Sequence, residues 1–257
     1  MSKKFVELAA VLGNVRLGSD VYSLLLDAPQ ICREAKPGQF VGVKTGWGQA
    51  PFLRRPLSVA DAADGRITII YRAAGVGTSW LAARREGEKV DIMGPLGHGF
   101  SLEAKRPLLV GGGIGIAPLI SVARSFAGRF GSGIVLAGRN KDEITYWQAM
   151  FKDLCHCVYI ATDDGSMGIR GNALAVLPQA AEEGGYDCIY ACGPPPMLKA
   201  IAAFVRQKNI PCQLSLESRM GCGLGACQAC SCQGADGKRK RICLNGPVFA
   251  AGEVEGL

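Results

Sequence analysis

The sequence predicts a mixed α and β protein: an N-terminal antiparallel β-barrel, a doubly wound α/β unit and a small cysteine-rich C-terminal unit. Three observations carry that expectation. Short alternating or β-branched runs separated by turn signals fill residues 1–102. From Arg106 onward, short apolar runs alternate with helical stretches, the pattern of a parallel sheet. Five of the eleven cysteines crowd into the last 36 residues, which points to a metal site rather than dispersed bridges. The units are expected at 1–102, 103–212 and 213–257.

In the first unit, strands are expected at Lys4–Val11, Val21–Leu26, Gln39–Val43, Leu57–Ala60, Arg66–Arg72 and Lys89–Met93. Turn signals such as Lys36-Pro37-Gly38 and Asp64-Gly65 separate them. Thr78-Ser79 can cap one helix running from Trp80 to about Arg85. In the second unit, strands at Pro107–Val110, Gly133–Ala137, Val158–Thr162 and Cys188–Ala191 alternate with helices. Those helices are expected at Pro118–Phe126, Tyr146–Asp153, Asn172–Leu177 and Pro196–Gln207. The tail from about 213 is too short to bury a core alone, so a metal centre is expected to hold it together.

Composition narrows the function. The 257 residues are 48% hydrophobic and 20% charged, with 35 Gly, about twice the usual share. In so apolar a chain that excess argues for tight turns and close backbone-to-ligand approach rather than disorder. The net charge of +7 is scattered except for Lys238-Arg239-Lys240-Arg241, unlike the basic stripe of a nucleic-acid binder. That run reads as a solvated hairpin tip, or as a charge that sets a metal centre's potential or meets an acidic partner. Met1-Ser2-Lys3-Lys4-Phe5 leads into alternating residues without the apolar stretch of a signal peptide. The longest uncharged run, between Arg106 and Arg124, is short of a spanning helix and holds four Gly and two Pro. A cytoplasmic protein is expected.

Cys222, Cys227, Cys230 and Cys243 follow the C-x4-C-x2-C…C spacing of plant-type 2Fe–2S centres. A loop wrapping such a cluster needs unusual dihedrals and little bulk, which Gly221, Gly223, Gly225 and Ala226 supply. A zinc knuckle is the alternative, but the tail has one C-x2-C unit and no His. Cys232 could replace Cys230 geometrically; the spacing favours Cys230.

Gly111-Gly112-Gly113-Ile114-Gly115-Ile116-Ala117-Pro118 follows a strand and opens a helix, where backbone N–H groups can cradle a pyrophosphate. A second turn, Cys192-Gly193-Pro194-Pro195-Pro196-Met197, follows a later strand of the same sheet. Both are therefore expected at the carboxyl edge, where open α/β sheets bind ligands. His98 and His156 are expected to be packing or turn residues, and no nucleophilic triad is evident.

Arg54-Arg55-Pro56-Leu57-Ser58, Gly75-Val76-Gly77-Thr78-Ser79, the Gly-rich loop, Thr162–Gly168 and Cys192–Met197, in this order, resemble the ferredoxin–NADP reductase superfamily. With the cysteine loop directly after the nucleotide unit, the chain is similar to the electron-transfer subunits of NAD-dependent (class 1B) dihydroorotate dehydrogenase. That resemblance implies FAD on Arg55, Pro56, Leu57, Ser58, Ile70, Tyr71, Arg72, Gly77 and Thr78. It implies NAD(H) on Gly111, Gly112, Gly113, Gly115, Cys192, Gly193 and Pro194, and a 2Fe–2S cluster on Cys222, Cys227, Cys230 and Cys243. For Cys192 a buried strand-end thiol is the plain alternative. The span of twelve residues between the last two ligands departs from the family pattern.

The implied activity is electron transfer between NAD(H) and an FMN-containing catalytic subunit that oxidises dihydroorotate in pyrimidine biosynthesis, with two copies of each subunit. Another flavin/iron–sulfur subunit, of a ferredoxin:NADP oxidoreductase or a hydrogenase complex, is the near rival. A zinc-stabilised, non-redox nucleotide-binding module is the rival from a different class. After the second strand of the nucleotide unit comes Gly138-Arg139-Asn140-Lys141 with no acidic residue immediately following, which leaves NAD against NADP open.

Overall fold

The computed structural model describes residues 3–46, 48, 51–127 and 131–257. Met1 and Ser2, with which the reading of the chain start begins, lie outside the described residues. The first sheet comprises β1 (Phe5–Arg16), β2 (Val21–Asp27), β3 (Phe40–Val43), β4 (Arg55–Ser58), β5 (Asp61–Ala63), β6 (Arg66–Arg72) and β7 (Lys89–Leu96). Its order is β4-β3-β7-β1-β2-β6-β5, and every ladder is antiparallel. The sheet curls so that β4 comes back against β6, giving the half-barrel that the alternating runs predict. Leu24, Leu26, Ile67, Ile69 and Ile92 fill its interior because side chains two apart share a face.

Two short helices interrupt this sheet, α1 (Pro29–Glu34) and α2 (Val76–Ala82). The first was not expected: it buries only Ile31, too little to give a helical period. The second corrects the expected capping by Thr78-Ser79. Gly75 is the cap and Thr78 the third helical residue, its hydroxyl accepting the Gly75 N–H at 3.2 Å.

The second sheet comprises β8 (Pro107–Gly112), β9 (Gly133–Gly138), β10 (Cys157–Thr162), β11 (Ile169–Arg170), β12 (Cys188–Cys192) and β13 (Cys212–Ser215), with β16 (Val248–Ala250) at its edge. Its order is β11-β10-β9-β8-β12-β13-β16, parallel except for the antiparallel β16. Helices α3 (Leu119–Phe126) and α4 (Lys141–Phe151) cover one face, packing on Leu109, Ile134 and Leu136. On the other face α5 (Leu177–Gly184) and α6 (Pro195–Lys208) pack on Leu108, Val110 and Val135. The strands are buried on both faces, which explains their continuous apolar runs.

Two helix expectations are corrected here. The α4 helix begins at Lys141 rather than Tyr146, with the Asn140 side chain capping Glu143 N–H at 3.1 Å. The stretch expected as a helix at 172–177 is a tight turn at Ala173–Ala175, and the helix runs onward from Leu177 to Gly184.

Between the sheets sits the tail, with a hairpin of β14 (Ser231–Gln233) and β15 (Arg239–Arg241) leading into α7 (Ile242–Asn245). Cys230, Ile242, Cys243 and Phe249 bury themselves against Phe40 and Leu96 of the first sheet, while β16 extends the second. The His98 backbone N–H bonds the Gly246 carbonyl at 2.6 Å, a turn role. Among the described residues no helix is long and apolar enough to cross a membrane.

Candidate functional site

Strand order places the ligand loops. Neighbouring β8 and β12 lie where the chain reverses its direction of travel across the sheet, so the loops after them flank a crevice at its carboxyl edge. Two clefts open there. One, of about 270 Å³, lies between the sheets and is lined by Pro56, Leu57, Ser58, Ile70, Tyr71 and Arg72 from the first, and by Ile114, Gly115 and Cys192 from the second. The other, of about 440 Å³, is lined by Gly112, Gly113, Gly115, Gly193, Pro194, Arg139, Glu143 and Asp163. Arg72, Ile114, Gly115 and Glu217 line both, so the two clefts meet along one wall.

The first cleft fits a flavin on local grounds. Alternation along β6 turns Ile70 toward the second sheet, while the Tyr71 ring enters the half-barrel core and stacks on Tyr22. The Tyr71 hydroxyl donates to Asn14 Oδ1 at 3.3 Å, so its ring is committed to packing. Arg54 is committed too, paired with both Asp91 carboxylate oxygens at 2.8 and 3.0 Å. Arg55 is freer: it donates to Leu53 O at 2.7 Å and lies at the start of α2. A Cβ on Gly77 would sit 2.8 Å from Arg55 Nε and 2.6 Å from Thr45 Oγ1. The Thr45 hydroxyl is buried behind Gly77 without a hydrogen-bond partner. Thr78 closes the same turn, accepting from Ala74 N at 3.0 Å.

The second cleft is a cradle that side chains would fill. A Cβ on Gly112 would come within 2.6 Å of Met197 Sδ, and one on Gly115 within 2.6 Å of Gly193 Cα. Gly111 lies deeper, in β8, against Ile116. Such close backbone approach leaves room for a pyrophosphate over the loop. Burial pushes the Cys192 thiol up to about 12, so it is neutral and unsuited to nucleophilic work.

The two sheets are joined across the site by charge. Glu143 Oε1 accepts from Arg72 Nη2 at 2.6 Å, and Oε2 accepts from Arg139 N at 2.9 Å and Arg139 Nε at 3.2 Å. Burial opposes ionisation of Glu143, but the bonds from Arg139 and Arg72 outweigh it and hold the carboxyl below its usual range. Glu217, on the shared wall, is the opposite case: crowding by the cleft walls shifts its carboxyl above the usual range, although the residue as a whole is exposed.

The four expected ligand cysteines fall into two pairs. Cys222 Sγ accepts from Leu224 N at 3.3 Å and Cys227 N at 3.4 Å, while Cys227 Sγ accepts from Cys222 N at 3.3 Å. Cys230 Sγ accepts from Cys243 N at 3.4 Å. Among the described residues no three metal-binding side chains converge as a single ion would require. Two pairs suit a two-iron group with two thiolates per iron better than one tetrahedral zinc. Although burial pushes the Cys222 thiol up, the N–H groups of Cys227 and Leu224 prevail and bring it down to about 6. Cys232 lies in β14 opposite Lys240.

Three functional candidates escaped the sequence reading. Glu217 carries no signal of its own in the sequence. Glu143 does not directly follow β9, so the only signal for it is the Asn140-x-x-Glu143 capping spacing. Asp163 lay within a quoted motif and enters the second cleft from the end of β10.

Comparison with known proteins agrees with this geometry. Residues 217–255 match the iron–sulfur cluster binding domain of dihydroorotate dehydrogenase B, and residues 109–203 match an oxidoreductase NAD-binding domain. The electron transfer subunit of dihydroorotate dehydrogenase B (NAD(+)) from Geobacillus thermodenitrificans is 42% identical over 96% of this chain and 98% of its own. That of Shouchella clausii is 41% identical over 95% and 96%. Among solved structures, an NADH-dependent reduced ferredoxin–NADP oxidoreductase superposes with a TM-score of 0.84 at 29% identity, covering 97% of this chain and 90% of that one. A Neisseria gonorrhoeae ferredoxin NADP+ reductase with bound FAD and NADP shares the fold alone, with a TM-score of 0.66 at 17% identity over 79% and 91%. The half-barrel, the paired clefts and the cysteine loop therefore go with a sequence that belongs to the family of dihydroorotate dehydrogenase B (NAD(+)) electron transfer subunits.

Proposed function

We propose that this chain conducts electrons between NAD(H) in the second cleft and a separate, FMN-containing catalytic subunit that oxidises dihydroorotate in pyrimidine biosynthesis. One observation carries the reading: the site is continuous. The clefts share Arg72, Ile114, Gly115 and Glu217, and Phe40, which lines the first cleft, also packs with Cys230 and Cys243. When bound, FAD supplies hydride exchange with the nicotinamide and the 2Fe–2S cluster supplies one-electron transfer.

The chain's own residues bind, orient and shield. In this reading Arg55, Gly77 and Thr78 hold the flavin phosphates, and Pro56, Leu57, Ser58, Ile70, Tyr71 and Arg72 form the wall against its ring. Gly111, Gly112, Gly113 and Gly115, with Cys192, Gly193 and Pro194, receive the nucleotide, and Cys222, Cys227, Cys230 and Cys243 ligate the cluster. The corresponding units are 1–102 for FAD, 103–212 for NAD(H) and 213–257 for the cluster, with β13 running across the last boundary. A heterotetramer with two copies of each subunit and a cytoplasmic location complete the proposal; none of the eleven cysteines is in a disulfide, a usage that suits a reducing compartment.

The test is NAD+ reduction by dihydroorotate, using the tagged chain with whatever co-purifies from its native cell. Activity tracking a second, flavin-bearing chain is the expected result. An intact brown, flavin-containing complex without that activity would move the partner, and so the pathway, to another reductase.

A further inference from the structure

The basic run at 238–241 is not one feature. Lys240 pairs with Glu253 at 2.7 Å, and the Lys238 and Arg239 side chains are exposed. Arg241 instead turns inward: its Nη1 donates to the Gly225 carbonyl, sixteen positions upstream, at 2.6 Å. Its backbone N–H donates to Asn245 Oδ1 at 2.8 Å. Among the described residues no carboxylate pairs with this guanidinium.

The place it reaches is the middle of the cysteine loop. Gly225 lies between Cys222 and Cys227 with φ +85°, and a Cβ there would be 2.8 Å from Leu244 Cδ2. On either side of it, Leu224 N and Cys227 N point at Cys222 Sγ. Arg241 itself directly precedes α7, which carries Cys243. One guanidinium thus ties the segment holding the outer cysteine pair to the helix holding Cys243. It also binds the carbonyl of the residue that lies between the two N–H groups bonded to Cys222 Sγ, no more than two positions from either.

We propose that Arg241 is a positioning residue for the cluster: it clamps the 222–227 loop onto α7 and places an uncompensated positive charge beside the centre, raising its reduction potential. The proposal rests on these cysteines ligating a 2Fe–2S group. Reduction adds one electron and therefore one negative charge, so a fixed nearby cation favours the reduced form. The clamp also preserves the N–H···S bonds, partners whose loss weakens metal binding about 10- to 100-fold.

The test uses the full chain in its native complex as wild type, R241Q, R241K and R239Q. The cluster's midpoint is followed by EPR-monitored titration, and its loss by visible bleaching under a chelator. R241Q is expected to shift the midpoint to more negative potential and to bleach about tenfold faster. R241K keeps the charge but not the planar fork, so it should bleach faster with a midpoint close to wild type. R239Q should change neither. Wild-type potential and bleaching in R241Q would overturn the proposal. Should R241Q take up no cluster, R241K decides, and bleaching at the wild-type rate would overturn it. A wild-type chain without a 2Fe–2S signal would sink the cluster reading instead.

Discussion

Glu217 stands on the wall common to both clefts, whose crowding shifts its carboxyl above the usual carboxylate range although the residue as a whole is exposed, so solvent reduces the effect. A raised folded-state value means that the folded protein binds the proton more tightly than the unfolded chain does. Stability is therefore lost as pH climbs from the ordinary Glu value through the raised one. Glu217→Gln should remove that loss: denaturant midpoints of variant and wild type should agree near pH 4 and differ slightly by pH 8, with the variant higher, the difference being small because the residue is exposed. Equal midpoints at both pH values would show that the carboxyl is not desolvated in solution. Cys232 offers a second test at this scale. It sits opposite Lys240 in a regular ladder, whereas Cys230 lies within hydrogen-bond reach of the Cys243 N–H. Cys232→Ser should leave the visible 2Fe–2S absorption intact, and bleaching of that band would reassign the ligand set. The cysteine spacing singles out four of the five tail thiols as expected ligands, because loop chemistry is local. Glu217 was not legible, since its meaning comes from two sheets meeting around it.

Elements were legible where burial writes a period into the chain. The β8, β9, β10 and β12 strands read as apolar runs because both faces are covered, and the order of strand and helix implied the parallel sheet. Helix starts were misread where the first turn is polar. Lys141-Asp142-Glu143 presents no apolar stripe, so the period surfaces only near Tyr146, while the Asn140 cap marks the true start. The addition of β16 to the edge of the nucleotide sheet had no signal, because three residues cannot declare which sheet they join. The Gly-rich loops were legible, and the structure adds why the fourth glycine is required. A methyl group on Gly115 would lie 2.6 Å from Gly193 Cα and 2.7 Å from Gly193 N, backbone that cannot swing aside. Overpacking of this kind costs about 1–3 kcal/mol, and forcing the two loops apart distorts the nucleotide cradle. Gly115→Ala should weaken NADH binding about tenfold or more, while the flavin spectrum of the purified chain is retained. Unchanged NADH affinity by fluorescence titration would remove this loop from the nucleotide site.

Among the described residues two charged ties join the units, Arg124 of α3 with Asp61 of β5 at 2.9 Å and a second that crosses the site. Arg72, from the first sheet, meets Glu143, at the start of α4, at 2.6 Å, and Asp20 stands 3.5 Å from Arg72 Nε. The Glu143 side chain is 7% exposed, so the pair works in a partly dry setting where a charged hydrogen bond contributes about 1.5–3 kcal/mol. Its sign with pH is the reverse of that of Glu217. The bonds from Arg139 and Arg72 hold Glu143 below its usual range, so its contribution is complete above the ordinary Glu value and is lost as pH falls through the lowered one. Glu143→Gln should therefore destabilise the chain by about 1.5–3 kcal/mol at neutral pH, with the gap closing in acid. Because Arg72 also lines the first cleft, where the proposed function puts the flavin, the same substitution frees its guanidinium, and the variant should release FAD more readily on gel filtration. Arg72→Lys separates the two effects: it keeps the charge that faces Glu143 but loses the planar fork, so stability should recover in part while FAD retention does not. If Glu143→Gln unfolds at the wild-type denaturant midpoint, the sheets are held together by their apolar contacts and by Arg124 with Asp61, and this bridge is without structural weight.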